Sequence, residues 1–115
     1  MRVVNKQEFM TLPVGTVYYE YEPAAATTQL RIKEEVISDN DFFYTNLDPC
    51  ACIDAPFVED IDSWQQPLEY LHERDEMRSQ DQQYLVLSLH DAVNLRDTIN
   101  RAIEQQAAVI NPQAT

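Results

Sequence analysis

The sequence predicts an α+β domain: a small, mostly antiparallel β-sheet covered by a C-terminal amphipathic helix, with a short helix near the N-terminus. Three observations carry this expectation. Period-2 segments recur between Val17 and Leu87, apolar residues recur at helical spacing after Leu89, and Pro, Gly, Asp and Asn punctuate the chain between them. With 115 residues, 44% of them apolar, the chain has the length of one domain and enough apolar side chains for one core. That domain is expected over 1–110, with 111–115 as a frayed tail after Asn111-Pro112.

The elements follow in order. Asn5 with Glu8 three residues on is a capping-box pattern that opens a short helix, Lys6 to Leu12, stopped at Pro13. Phe9 and Leu12 would share its buried side. Pro13 to Thr16 reads as a turn, with the only glycine, Gly15, where a positive φ is wanted. Val17, Tyr19 and Tyr21 alternate with Tyr18, Glu20 and Glu22, which is strand period, and Pro23 to Thr28 is a loop. Leu30 and Ile32 alternate with Arg31 and Lys33 as a second strand. Ser38-Asp39-Asn40 is a turn, and Asp41 to Thr45 is a third strand.

Phe57, Val58, Ile61 and Trp64 fall at helical spacing before Pro67. The runs Leu68–Leu71 and Tyr84–Leu87, separated by a charged loop, predict a hairpin. Ser88 with Asp91 caps the clearest helix, Leu89 to Ala107. Its stripe of Ala92, Leu95, Ile99, Ala102, Ile103 and Ala107 is expected to pack on the sheet.

Charge is the most informative feature for function. Eight Lys and Arg stand against 20 Asp and Glu, a net charge of −12. Between Glu34 and Asp81 there are 14 carboxylates and two bases, Arg74 and Arg78, so the middle of the chain carries the whole excess. Such a field repels nucleic acid and anionic membrane and attracts cationic partners. One glycine excludes Gly-rich phosphate cradles. The sequence has no G-x-S-x-G elbow and no H-E-x-x-H helix, and its Asp-rich runs lack the glycine of a calcium loop. Cys50 and Cys52, with only His72 and His90 available to join them, match no zinc pattern and read as free thiols. No catalytic residue, cofactor or metal is therefore expected. Residues 1–6 have no apolar signal region and no apolar run is long enough to span a bilayer, so a cytoplasmic location is expected.

The six tyrosines, Tyr18, Tyr19, Tyr21, Tyr44, Tyr70 and Tyr84, all fall on expected strands, so some rings should face outward as anchors for a protein partner. A dense acid cluster beside such rings imitates the charge of a nucleic acid, which is one per about 1.7 Å of duplex. The residues expected to form a docking face are Glu59, Asp60, Asp62, Glu73, Asp75 and Glu76, with Trp64 and Tyr70 as apolar anchors.

The opening, Lys6-Gln7-Glu8-Phe9-Met10-Thr11-Leu12-Pro13-Val14-Gly15-Thr16-Val17-Tyr18, with Tyr21-Glu22-Pro23 and Leu30-Arg31-Ile32-Lys33, resembles a group of small uncharacterised phage- and prophage-encoded proteins. The resemblance covers the first third well and the last third loosely. It implies a viral origin and brings no catalytic residues with it. Together with the charge, it leads to an expected function: a non-enzymatic accessory protein that binds and inhibits a basic host protein or nucleoprotein complex in the host cytoplasm, as an anti-defence or DNA-mimic-like inhibitor. Two other readings stand beside it. One is an oligomeric sponge for a nucleotide signal, using Arg31, Lys33, Arg74, Arg78, Arg96 and Arg101; the other is a virion structural or assembly protein that self-associates.

Overall fold

A computed structural model describes residues 1–22, 26–27, 29–48, 70–76 and 80–110, the pair 26–27 by its backbone alone. Its elements are β1 (Arg2–Asn5), α1 (Lys6–Met10), β2 (Val17–Glu22), β3 (Ala26–Thr27), β4 (Arg31–Ser38), β5 (Asp41–Asn46), β6 (Leu71–Arg74), β7 (Gln83–Val86) and α2 (Leu89–Ile110). The strands form one antiparallel sheet in the order β1-β7-β2-β4-β5-β6, with β3 paired to the end of β2. The protein is an α+β fold. The expected helix over Phe57–Trp64, the Cys50-x-Cys52 pair and the 111–115 tail lie outside the described residues.

The hairpin expected between Leu68–Leu71 and Tyr84–Leu87 does not form. The strand runs Leu71–Arg74 and pairs with β5, while β7 inserts between β1 and β2 at the other side of the sheet. Tyr44 opposite Glu73 and Tyr18 opposite Val86 make both pairings productive, because each puts an aromatic ring beside a partner it can use. The four residues of β1 are a strand only because Val3 and Val4 pair with Leu85 and Tyr84.

Local signals work as expected at the turns and caps. Asn5 Oδ1 accepts the Glu8 backbone N–H at 2.8 Å and starts α1, which ends at Thr11. Gly15 has φ +94°. Its N–H donates to the Lys33 carbonyl at 2.8 Å, and the Lys33 N–H returns a bond to the Thr16 carbonyl, so this turn is stitched to β4.

The core lies on one face of the sheet beneath α1. It contains Val4, Phe9, Tyr18, Phe42, Tyr44, Tyr84 and Val86, with Met10 and Leu12 packed against it. Phe9 organises it, stacked on Tyr84 with ring centroids 4.0 Å apart and edge-on to Tyr18 at 4.7 Å. The period of β2 and β4 is as read from the sequence, but the polar-looking rows turn inward. Tyr18, Glu20, Arg31 and Lys33 are buried, while Val17, Tyr19 and Ile32 are half-buried on the opposite face. Pairing makes this tolerable. Arg31 donates to Glu20 at 2.5 Å, and the Lys33 ammonium donates to the Leu12 carbonyl at 2.7 Å.

The C-terminal helix departs most from expectation. It does not cover the sheet. None of its residues is buried, and its apolar stripe is open to solvent, with Ile99 52% and Ile103 56% exposed. The cause is how it leaves β7. Only Leu87 and Ser88 separate strand from helix, and the Leu87 N–H is held by the Val17 carbonyl. A reciprocal capping box then sets the direction, with Asp91 N–H on Ser88 Oγ at 3.0 Å and Ser88 N–H on Asp91 Oδ2 at 3.2 Å. The Met1 amino group adds an ion pair to Asp91 at 2.8 Å.

Candidate functional site

Charge on the described surface is lopsided. The buried ionic groups cancel, three bases (Lys6, Arg31, Lys33) against three acids (Glu20, Asp41, Asp75). What remains outside is twelve carboxylates against four arginines among the described residues. Six of those carboxylates, Glu34, Glu35, Asp39, Asp48, Glu73 and Glu76, belong to the β4–β5–β6 end of the sheet. Arg74 is the one exposed base described there, and its Nε is already engaged by buried Asp41.

Strand pairing builds the site. Antiparallel register sets Tyr44 opposite Glu73, and the Tyr44 hydroxyl donates to Glu73 Oε2 at 2.8 Å. The Arg31 guanidinium lies over the Tyr44 ring, 4.3 Å from its centroid, and reaches back to Glu20. Burial opposes the Arg31 charge, but Glu20 beside it, with Tyr44 and Tyr18, holds its pKa above the ordinary arginine value. The same interior pushes the Tyr18 phenol well above the usual tyrosine range, chiefly by burial. Lys33 is moved the other way, below an ordinary lysine, also by burial. Glu73 is thus oriented by a ring that is itself clamped by an arginine.

Above this network opens a cleft of about 470 Å³, lined by Tyr44, Glu73, Arg74, Asp75 and Glu76. Tyr70 stands next in sequence to β6 and is 53% exposed. Glu76 has φ 62°, a left-handed conformation that few L-residues adopt. A cleft lined by the oriented carboxylate of Glu73 and by Glu76 suits a cationic side chain from a protein partner.

Glu73 and Glu76 line the same cleft, whereas Tyr70, which precedes β6 at its other end, is exposed but is not among the residues lining that cleft. The structure removes Asp75 from the docking set, because that carboxylate is buried against the Lys6 ammonium at 3.4 Å and serves the core. Glu59, Asp60, Asp62 and Trp64 lie outside the described residues. Of the outward tyrosines expected, Tyr70 is exposed and Tyr19 and Tyr21 half-buried, while Tyr18, Tyr44 and Tyr84 form the core. Sequence reading missed Tyr44 as the group that positions Glu73; the signal that could have found it is the cross-strand register, which hydropathy does not report.

No cluster of three or more His, Cys, Asp or Glu able to hold a metal occurs among the described residues. No described helix is long and apolar enough to cross a membrane. Comparison with protein families, with curated proteins and with solved structures gave no match.

Proposed function

We propose that the chain is a phage-encoded, non-enzymatic accessory protein that binds and inhibits a basic host protein or nucleoprotein complex in the host cytoplasm. One observation carries it: the cleft lined by Glu73 and Glu76, set in a surface where, among the described residues, twelve carboxylates face four arginines. A cationic groove evolved for a polyanion meets there a fixed negative field, and exposed Tyr70 ahead of β6 offers an aromatic anchor. The nucleotide-sponge reading loses two of its bases, since Arg31 and Lys33 are buried and committed to Glu20 and to the Leu12 carbonyl. Self-association, the premise of the assembly reading, is favoured by the open stripe of α2.

The test is capture from host lysate with the wild-type protein and with Glu73→Gln/Glu76→Gln. At about 50 mM salt the wild type should retain a basic host protein that is released as salt rises toward about 500 mM, and the double variant should retain much less. Retention indifferent to both salt and substitution would overturn docking by charge. A co-purifying nucleotide that raises the melting temperature would replace it with the sponge.

A further inference from the structure

We infer that α2 is a homodimerisation element, pairing antiparallel with α2 of a second copy. The residues of its apolar stripe, exposed from Leu95 on and half-buried at Ala92, repeat as a coiled-coil seam. Ala92, Leu95, Ile99, Ala102, Gln106 and Val109 are spaced three, four, three, four and three apart, and Ile103 and Ile110 widen the stripe. Leu95 is 37%, Val109 82% and Ile110 73% exposed, although a helix in a protein owes most of its stability to packing such a face. A helix of 22 residues is about 33 Å long, and two of them paired along that length bury roughly 1,200 Å², the lower bound for a specific interface.

Charge selects both the occupant and the direction. Of the net −12, α2 carries only −1, with Asp91, Asp97 and Glu104 against Arg96 and Arg101. Parallel pairing would set two acidic sheets side by side at the helix N-termini. Antiparallel pairing places them at opposite ends, about 33 Å apart and several Debye lengths of about 8 Å. It also opposes the helix dipoles. Residue sizes agree with a register centred between Asn100 and Arg101. Ile99 then meets Ala102 of the second copy, Ala92 meets Val109, and Leu95 lies on the stem of Gln106. Large faces small along the seam.

Sedimentation from about 1 μM to about 1 mM tests association. The wild type should show a concentration-dependent dimer. Ile99→Asp should raise its dissociation constant roughly 100-fold or more while leaving the aromatic near-ultraviolet circular dichroism of the sheet unchanged. Direction is read by spin labels on Asn94→Cys, Arg101→Cys and Ala108→Cys, each made with Cys50→Ser and Cys52→Ser. The label at 101 should lie level with its twin, and those at 94 and 108 should be offset by about 20 Å along the axis. A monomer at every concentration, a dimer indifferent to Ile99→Asp, or three equal label distances would each overturn the assignment. The seam is remote in sequence from Glu73 and Glu76, so loss of dimerisation and loss of host-protein capture are separable failures.

Discussion

The sheet and the C-terminal helix solve the same problem in opposite ways. The sheet with α1 puts its apolar surface and its awkward charges inside and pairs the charges there, Glu20 with Arg31 and Lys6 with Asp75, while exposed Arg74 reaches in to buried Asp41. α2 has no buried residue and relies on its cap, on the Met1 amino group at Asp91 and on its own backbone. The first region is stabilised from within. The second leaves a reserve of apolar surface exposed, and it keeps that reserve almost neutral. The difference teaches that, among the described residues, the acidic excess sits on the sheet's outer rim, while the inferred association belongs to the helix.

Substitutions should divide along that line. Phe9→Ala removes the ring that joins Tyr18, Phe42 and Tyr84, and it should lower unfolding free energy by about 3–5 kcal/mol in urea. Ile99→Ala, measured in the same titration at dilute concentration, should change it by less than about 0.5 kcal/mol. Equal losses would erase the distinction. Glu20→Leu leaves the Arg31 guanidinium buried beside a side chain that cannot accept from it, and about 3 kcal/mol should be lost. A smaller loss would mean that the buried charge is solvated by other means.

How much of this was legible in the sequence depends on range. The strand period of Val17–Glu22 and Leu30–Lys33, the turn at Gly15 and the caps at Asn5 and Ser88 are short-range, and each appears where the residues placed it. Which face of β2 and β4 points inward was not legible, because Arg31 and Lys33 become core residues only through Glu20 and the Leu12 carbonyl, 11 and 21 positions away. The stripe on α2 announced a face that needs covering, but periodicity does not say which surface supplies the cover. For the site, composition pointed to Glu73 and Glu76, which line one cleft. Long-range pairing with Lys6, 69 residues distant, decided that Asp75 is structural.

Smaller effects sharpen the same contrast at the junction of the two regions. Ser88→Ala deletes the hydroxyl that caps the Asp91 N–H, and should cost about 1 kcal/mol of helix stability, seen as fraying of the first turn of α2. Asp91 supplies a pH signature. Hydrogen bonds from the Met1 amino group and from Ser88 hold its carboxyl down at about 2, below the ordinary 3.8. A depressed acid stabilises the folded state above its unfolded pKa and loses that effect as pH falls through the folded one, so the helix start should loosen between about pH 4 and 2. Carboxyl resonances should show Asp91 titrating near the lower value, and moving toward the ordinary one in Ser88→Ala.

Hydrogen exchange followed as a function of protein concentration tests the contrast most directly. Amides of β2, β4 and β7 should keep the same protection from micromolar to millimolar protein. Amides of α2 between Ala92 and Val109 should exchange rapidly when dilute and gain protection as concentration rises, with no gain in Ile99→Asp. Protection of α2 that is already as high as that of the sheet in dilute protein, and independent of concentration, would contradict the account, because the helix would then be held by its own chain.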